Sequence, residues 1–317
     1  MTPELFPLNG KRIWVAGHRG MVGSAIVARL EADGIEVLKA GREDADLRRQ
    51  ADVEAWVAKH KPDAIIIAAA KVGGILANAT LPGEFLYDNL MIQANIIEAA
   101  RICGVAKVVV LGSSCIYPKL APQPIDEASL LTGPLEPTNE AYAVAKIAGI
   151  RLGQAYRAQY GLDVISAMPT NLYGPNDNFD LASSHVLPAL VRKAHDAKMS
   201  GAASLTIWGT GAPRREFLHA QDCADAVIHL LKVYSDVDHV NVGFGEDIAI
   251  LDLAKLVAAA VGFDGAIETD PSKPDGTPKK LLNSDRLRSL GWSPKIDLKT
   301  GVRDVYTWFL ENKAGAL

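Results

Sequence analysis

The sequence has few cysteines and no apolar run long enough to span a membrane. Its three cysteines, Cys103, Cys115 and Cys223, lack the spacing of a zinc site and are too few for a disulfide framework. Apolar runs such as residues 64–70 fall far short of the roughly 18 residues that a membrane span needs. The N-terminus has no apolar core of the kind found in secretory signals. We therefore expect a soluble protein in a reducing compartment, the cytoplasm.

A basic tract is absent as well. The chain has 33 Lys and Arg against 37 Asp and Glu, so its net charge is -4. Without clustered cations it lacks the electrostatic footprint of proteins that bind nucleic acid, and no such partner is expected. Hydrophobic residues make up 49% of the chain and charged residues 22%, which is typical of a globular protein rather than a disordered one. With 317 residues, the chain is long enough for two domains.

The first half of the chain alternates short apolar strand patterns with longer helical patterns. Strands are predicted over residues 12–16, 36–39, 63–70, 107–111 and 163–168, and helices over residues 22–33, 53–60, 85–103 and 140–160. The strand at 63–70 is apolar throughout, which is typical of a strand buried on both faces. This order predicts an α/β fold with a doubly wound parallel sheet, the Rossmann arrangement.

After residue 175 the pattern becomes less regular, with helices predicted over residues 184–198, 222–234, 250–261 and 298–312. We expect residues 1–175 to form a dinucleotide-binding domain that regains part of residues 215–250. Residues 176–317 are expected to form a smaller α+β domain that binds the substrate. In such folds the ligand lies in the crevice at the carboxyl ends of the strands, where the two domains would meet.

Three glycines, Gly17, Gly20 and Gly23, stand between the first predicted strand and its helix. Small residues there let the backbone approach the pyrophosphate of a dinucleotide at the N-terminus of the helix. A plain strand-to-helix turn is the alternative. The position at the first strand-helix junction favours the cofactor.

The end of the second predicted strand, residues 38–42, carries no carboxylate. NAD sites usually place an acidic residue about 20 positions after the glycines, on the ribose 2'-hydroxyl. Arg42 and Arg19 can instead hold a 2'-phosphate with their planar guanidinium groups, so NADP is favoured over NAD. The alternative for Arg42 is a solvated charge on the surface. Asp46 and Leu47 either contact the adenine or belong to an exposed turn.

Tyr142 and Lys146 lie four residues apart on one predicted helix, so their side chains share a face. Ser113 follows the strand predicted over residues 107–111, which ends at the same crevice. A carbonyl that accepts hydride becomes an alkoxide, which needs a hydrogen-bond donor and an acid. Ser113 and Tyr142 supply these groups if the Lys146 ammonium lowers the pKa of the phenol. A packed tyrosine beside a surface lysine is the alternative.

Six segments resemble those of the extended short-chain dehydrogenase/reductases that act on nucleotide sugars, and together they reach from about residue 11 to 310. They are residues 16–24 (AGHRGMVGS), 111–118 (LGSSCIYP), 139–146 (NEAYAVAK), 169–175 (PTNLYGP), 215–219 (REFLH) and 275–282 (DGTPKKLL). The most similar members epimerise GDP-4-keto-6-deoxy-D-mannose at two carbons and reduce its ketone with NADPH, which gives GDP-L-fucose. The resemblance implies this reaction for the chain.

The resemblance also implies residue roles. Ser113, Tyr142 and Lys146 would form the reduction triad, with Cys115 as the base and His185 as the acid of epimerisation. The cofactor contacts implied are Gly17, Arg19, Gly20, Met21, Val22, Gly23, Arg42, Asp46, Leu47, Lys146, Pro169, Asn171, Leu172 and His185. The substrate contacts expected from charge and shape are Asn171, Lys193, Trp208, Arg215 and Lys280. Lys193 departs from the arginine expected there and loses the bidentate fork.

The chemistry of the two epimerisation residues is consistent with this role. A ketone acidifies the hydrogens on both flanking carbons, so one base and one acid can invert both centres through enolates. Dehydratases of this fold usually carry Asp-Glu where this chain has Ser114 and Cys115, so dehydration is disfavoured. Taken alone, Cys115 is equally a small buried apolar residue, and His185 a surface or capping residue.

Three functions remain at this point. The first is the NADPH-dependent epimerase-reductase, the second is a related nucleotide-sugar epimerase or reductase, and the third is a non-catalytic NADP-binding regulator. A regulator has no need of Ser113, Tyr142 and Lys146 together. The helices predicted over residues 85–103 and 140–160 are expected to pair across a two-fold axis in a homodimer.

Overall fold

The computed structural model describes residues 3–273 and 275–314. Its strands are β1 (Arg12–Ala16), β2 (Glu36–Leu38), β3 (Ala64–Ile67), β4 (Lys107–Leu111), β5 (Asp163–Pro169), β6 (Asn171–Tyr173), β7 (Ser204–Trp208), β8 (Arg214–His219), β9 (Val240–Val242), β10 (Asp247–Ala249), β11 (Ala266–Asp270) and β12 (Lys279–Lys280). Its helices are α1 (Met21–Ala32), α2 (Gln50–His60), α3 (Ile75–Thr80), α4 (Pro82–Ile102), α5 (Glu140–Tyr160), α6 (Val186–Ser200), α7 (Ala220–Val233), α8 (Ile250–Val261), α9 (Asp285–Ser289) and α10 (Leu298–Asn312). None of these helices is both long and apolar enough to cross a bilayer.

Six parallel strands form the central sheet, in the order β2-β1-β3-β4-β5-β9. Helices cover both faces, because each inner strand is apolar on both sides. Ile66 of β3 packs in the core with α1 and α7, whereas Ile65 packs in the core with α2 and α4. All four residues of β3 are fully buried. The expected doubly wound parallel sheet is confirmed.

A second group of elements stands beside this sheet. Strand β8 pairs with β6, β10 and β12, and β7 pairs with β11. Helices α6, α8 and α10 pack with these strands around a separate apolar core that includes Leu190, Val257 and Phe309. Strand β9 belongs to the central sheet and helix α7 packs against that sheet, although both follow β8 in the chain. The division into residues 1–175 and 176–317 stays a proposal.

Parallel strands end at one edge of a sheet, and this edge positions the candidate site. Strands β1, β3, β4 and β5 end there at Ala16, Ile67, Leu111 and Pro169. The next residues along the chain are the glycine loop, the loop at 71–74, the turn after Gly112 and the 170–185 segment. Segments that are far apart in sequence therefore meet above the carboxyl ends of the strands.

Candidate active site

The glycine loop joins β1 to α1 in a conformation that requires glycine. Gly17 has φ +90°, and a Cβ there would lie 2.6 Å from the backbone nitrogen of Ala69. A Cβ on Gly23 would lie 2.0 Å from the carbonyl oxygen of Gly17, so the first turn of α1 packs directly on the loop. Gly20 precedes α1, which begins with Met21 and Val22. The first amides of α1 are therefore placed at the sheet edge, where a phosphate can bind them.

Arg19 lies within this loop, Arg42 directly precedes Glu43 after β2, and both arginines are exposed. Arg19 Nη2 contacts Glu43 Oε1 at 2.5 Å, and both side chains are largely open to solvent. The hydrogen bond from Arg19 holds the pKa of Glu43 below its usual value. Sequence reasoning overlooked Glu43, although it stands 20 residues after Gly23, where NAD sites carry their acidic residue. An anion brought to Arg19 competes with this carboxylate.

Asp46 and Leu47 follow on the same loop. The Asp46 carboxylate accepts from Arg48 Nε and Nη2 at 3.0 and 2.7 Å, and these bonds hold its pKa well below the usual range. Leu47 packs on the core between β1 and α4, and its carbonyl accepts from Asn95 of α4. The Asp46 side chain is thus already engaged by a neighbouring cation, while the Leu47 backbone is fixed to α4.

Ser113, Tyr142 and Lys146 are brought together at the end of β4. The Ser113 side chain is close enough to Tyr142 to act on the ionisation of its phenol, and Lys146 Nζ donates to the carbonyl of Leu111 at 2.9 Å. Lys146 Nζ also lies 5.8 Å from the centre of the Tyr142 ring. Lys146 is 2% exposed, which excludes the surface-lysine alternative. A hydroxyl pair backed by a buried amine can bind and protonate an oxygen that gains charge.

The ionisation of this group differs from the expectation. Burial raises the pKa of Tyr142 above its ordinary value, although the Ser113 hydrogen bond opposes that effect. Burial also lowers the pKa of Lys146 to about 8. The prediction that Lys146 lowers the pKa of Tyr142 is therefore wrong for the protein without ligands. Loss of hydration is the largest cause of the shift, and Lys146 is not among the groups that act on the pKa of Tyr142.

Cys115 lies on a single 3-10 turn, Ser114–Ile116, directly after Ser113. The Ser113 hydroxyl accepts from the Cys115 amide at 3.3 Å, which caps the turn. Asn139 Nδ2 lies 3.3 Å from Cys115 Sγ. Cys115 is partly exposed, whereas Cys223 is fully buried. The thiol is therefore accessible beside Ser113 and Tyr142.

A buried polar network fixes the end of this turn. The Tyr117 hydroxyl bonds Asn241 Oδ1 at 2.5 Å and His239 Nε2 at 2.9 Å. Asn241 Nδ2 in turn donates to the carbonyls of Ile125 and Asn283. Burial lowers the pKa of His239 to about 4, so its ring is neutral at neutral pH. The network joins the turn that carries Cys115 to strand β9 at the edge of the sheet.

His185 is the residue that precedes α6, and its side chain makes no capping hydrogen bond. Its side chain is accessible, but the protein around it lowers the pKa of the imidazole by desolvation. The loop after β3 lies against the same segment, since Gly74 donates to the carbonyl of Ser183 at 2.8 Å. A Cβ on Gly74 would lie 2.6 Å from the carbonyl oxygen of Ser184. The sequence carried a signal for this contact in the paired glycines Gly73 and Gly74.

Cationic and aromatic side chains form a second part of the site. Arg215 of β8 is partly buried and donates to the carbonyl of Thr277 at 2.5 Å. Burial lowers its pKa, while negative charge on Cys115 opposes that effect, so the two groups are close enough to interact. Lys280 of β12 is the register partner of Arg215.

Trp208 and Lys193 belong to the same cationic and aromatic part of the candidate site. Trp208 is 63% exposed, which excludes a core role. Lys193 Nζ lies 5.6 Å from the ring centre and Lys273 Nζ lies 5.7 Å from it. Burial lowers the pKa of Lys193. An exposed indole flanked by two amines is suited to a flat ring that carries phosphate.

The remaining predicted site residues lie at the end of β5 and just after it: Pro169, Asn171 and Leu172. Pro169 is the last residue of β5 and lies in register with Val242 of β9. Asn171 Nδ2 donates to the carbonyl of Glu216 at 2.9 Å, so this side chain links β6 to β8. Leu172 packs against the core around α1 and α7. The amide of Asn171 is thus used within the fold.

Comparison with known proteins agrees with this arrangement. Residues 13–243 match the model of the NAD dependent epimerase/dehydratase family. A GDP-L-fucose synthase of Sinorhizobium fredii is 59% identical over 98% of this chain and 99% of its own. That of Escherichia coli K12 is 50% identical over 96% and 98%. A GDP-L-fucose synthetase from Naegleria fowleri bound to NADP has a TM-score of 0.89 at 28% identity, over 98% of this chain and 97% of that one.

These similarities extend over nearly the whole chain, and the family model includes the glycine loop, the Cys115 turn and helix α5. The resemblance indicated by the motifs is therefore confirmed: the chain belongs to the NAD dependent epimerase/dehydratase family.

Proposed function

We propose that this protein is a GDP-L-fucose synthase. It converts GDP-4-keto-6-deoxy-D-mannose to GDP-L-fucose by inverting C3 and C5 and reducing the 4-ketone with NADPH. One observation carries this assignment: Cys115 lies on the turn that Ser113 caps, and both residues are close enough to Tyr142 to act on its ionisation. A base for carbon-bound protons and an acid for the ketone oxygen are thereby directed at one carbonyl.

NADP is held at the carboxyl edge of the central sheet. The glycine loop and the first amides of α1 fit the pyrophosphate, because a Cβ on Gly17 or Gly23 would collide with backbone. Arg19 and Arg42 fit the 2'-phosphate that distinguishes NADP from NAD. The bound cofactor supplies hydride to the ketone carbon.

Epimerisation is assigned to Cys115 and His185. The Cys115 thiolate removes a proton from a carbon next to the ketone, and the electron pair moves onto the ketone oxygen as an enolate. Ser113 and Tyr142 hydrogen-bond that oxygen. His185 then returns a proton to the opposite face of the carbon, which inverts it. Desolvation lowers the pKa of His185, so a negative charge brought near the imidazole by a bound ligand would favour the protonated form that this step uses.

Reduction uses the same oxygen. As the ketone becomes an alkoxide, Tyr142 gives it the phenol proton and becomes a phenolate. The ammonium of Lys146 lies under the Tyr142 ring and stabilises that phenolate. Arg215, Lys193 and Lys280 neutralise the diphosphate, while Trp208 stacks on the base or the sugar.

The test is incubation with GDP-4-keto-6-deoxy-D-mannose. With NADPH, the product is expected to be GDP-L-fucose, followed by loss of NADPH absorbance and by NMR. In D₂O without NADPH, the wild-type enzyme is expected to introduce deuterium at C3 and C5. Cys115→Ser should lose this exchange, because a serine hydroxyl is far less acidic than a thiol.

Two further variants sharpen the assignment. His185→Asn keeps the base and removes the proton donor, so exchange is expected without efficient inversion. Cys103→Ser is the matched control, since Cys103 lies at the end of α4, away from the Cys115 turn. A wild-type exchange rate in Cys115→Ser would show that another residue is the base. A product with unaltered configuration at C3 and C5 would contradict the proposed epimerase activity.

The protein is further proposed to act as a homodimer in the cytoplasm. Helices α4 and α5 pack side by side and leave apolar side chains such as Tyr87 and Val144 exposed, at 59% and 41%. A two-fold pairing of these helices covers such side chains. A reducing compartment keeps Cys115 as the free thiol that the proposed chemistry needs.

A further inference from the structure

Asn139 precedes helix α5 but does not cap it. It occupies the N-cap position of α5, but its side chain makes no capping hydrogen bond. Asparagine is among the best residues at this position because its side-chain oxygen accepts from the first free amides of the helix. That stabilising bond is not made here. The amide group instead contacts the turn that carries Cys115.

The amide contacts the sulfur of Cys115 directly. Asn139 Nδ2 lies 3.3 Å from Sγ, across 24 residues of sequence. Within the described residues, Asn139 Oδ1 is buried and has no hydrogen-bond partner. Both the unused cap and the unpartnered oxygen are costs in stability. Among the residues that the structure describes, this side-chain orientation provides the hydrogen bond to Cys115.

An N–H donor on sulfur has a chemical consequence. A thiolate accepts such a bond more strongly than a neutral thiol does, because charge-assisted hydrogen bonds are stronger. The donor therefore favours the anionic form of the sulfur, which is the form that removes protons and attacks electrophiles. Arg215 adds a positive charge near the same sulfur.

We propose that Asn139 is a positioning residue whose side-chain amide orients the Cys115 sulfur and stabilises the thiolate when it forms. This inference rests on the proposed role of Cys115 as the epimerisation base. When the sulfur carries the proton taken from carbon, a half-turn of the amide places Oδ1 where it accepts the S–H. The same side chain then serves both protonation states of the base, and this gives the buried oxygen its function.

Two substitutions separate this role from a structural one. Asn139→Asp has the same shape and Asn139→Ser is smaller, and both residues cap helices well. Neither presents an N–H to Cys115. If Asn139 served only to begin α5, the neutral Asn139→Ser variant would alkylate Cys115 as the wild type does. Asn139→Asp also places a carboxylate beside the sulfur, so Asn139→Ser decides between the two roles. Thr138→Ala is the matched control, because Thr138 lies on the same turn and its hydroxyl contacts Glu136, not Cys115.

The first measurement is alkylation by iodoacetamide, which needs neither substrate nor cofactor. The rate at Cys115 is followed by peptide mass spectrometry, with Cys103 of the same molecule as the internal reference. Asn139→Asp and Asn139→Ser are expected to alkylate Cys115 roughly 10- to 100-fold more slowly than the wild type, which is the range for a hydrogen bond to a charged group. Thr138→Ala is expected to match the wild type.

The second measurement is deuterium exchange at C3 and C5 without NADPH. Both Asn139 variants are expected to lose exchange in proportion to their loss of alkylation, while NADPH binding stays unchanged. Circular dichroism checks that each variant is folded. Alkylation within twofold of the wild type in both folded variants would overturn the proposal. Slow alkylation in the variants, together with no exchange in the wild type, would support the thiolate contact and reject the proposed function.

Discussion

Tyr142 and Lys146 are both buried, and the cost of burying an ionisable group decides their protonation. Desolvation disfavours the charged form of each, so the phenol stays protonated and the amine loses its proton more readily. Before reaction, the neutral phenol is the form that can donate a proton. After donation, the phenolate needs the ammonium of Lys146 next to it. The pair is therefore set for proton donation to a substrate.

Tyr142→Phe removes the donated proton and keeps the ring. Reduction of the ketone is expected to slow by roughly 10²- to 10⁴-fold, the usual contribution of general acid catalysis. NADPH binding is expected to survive. Single-turnover loss of NADPH absorbance measures the first effect and fluorescence titration the second. A near-normal rate of reduction would show that Tyr142 serves only in packing.

Reduction should also depend on the charge of Lys146. Burial lowers the folded-state pKa of Lys146 to about 8, so the ammonium is present below that pH and is lost above it. The single-turnover rate is therefore expected to fall as the pH rises from 7 to 9. Tyr142 does not cause this fall, because its pKa is raised above the ordinary value of 10.0. A flat profile over this range would contradict the role of the ammonium.

Glu43 is predicted to weaken the preference for NADPH. It pairs with Arg19 and adds a negative charge near the expected 2'-phosphate. Glu43→Gln frees Arg19 and is expected to raise the kcat/KM ratio of NADPH over NADH by roughly two- to fivefold, the range for an exposed ion pair. Arg42→Ala is the opposite change and is expected to lower that ratio. Equal kcat/KM for the two cofactors in the wild type would reject the 2'-phosphate site.

At the scale of the elements, the turn Ser114–Ile116 is held by contacts at both of its ends. It is one short 3-10 turn, and such turns have little stability of their own. Ser113 caps its start, and Tyr117 anchors its end to Asn241 and His239. The position of Cys115 is thus fixed by neighbours on β9 and at the N-terminus of α5.

Tyr117→Phe tests this anchoring. It leaves Asn241 Oδ1 and His239 Nε2 buried without the Tyr117 hydroxyl, so the free energy of unfolding is expected to fall by roughly 1–3 kcal/mol. Urea denaturation measures the change. Tyr160→Phe is the control, since Tyr160 is 48% exposed, and a change within about 0.5 kcal/mol is expected. Equal stability in the two variants would show that the network contributes little.

At the scale of the whole molecule, the site joins two groups of elements. The central sheet supplies the glycine loop, the Cys115 turn and α5, whereas β7, β8 and β12 supply Trp208, Arg215 and Lys280. Helix α7 and strand β9 return to the central sheet between β8 and β10. The chain thus crosses between the two groups more than once, which fixes their relative position around the crevice.

The outer face of α4 and α5 is expected to form the dimer interface. Val144→Glu places a charge on this face and is expected to give a monomer, as measured by light scattering after gel filtration. Leu310→Glu is the matched control, because Leu310 on α10 is 47% exposed and lies outside α4 and α5; this variant is expected to stay dimeric. A monomeric wild type would contradict the homodimer.

Local periodicity in the sequence was enough to predict most of the described helices and the first five strands, β1 to β5, but not most of the short strands of the second half. The predicted and observed bounds coincide for β1, β4, α5, α8 and α10, because apolar residues recur at the spacing of a strand or a helix. Helix α4 begins at Pro82, three residues before its prediction, since proline is favoured in the first helical turn. The six-residue helix α3 was not predicted, because it is too short to show a helical period.

The sequence by itself determined the fold class, through its alternation of strand and helix patterns. It also determined the glycine loop and the pair of Tyr142 with Lys146, because each of these depends on neighbours in the chain. Only the tertiary structure decided which distant side chains touch. Asn139 meets Cys115 across 24 residues, and Tyr117 meets Asn241 across 124. Arg19 reaches Glu43 because the loops after β1 and β2 end at one edge. Such contacts depend on strand order and turn geometry, which no local pattern encodes.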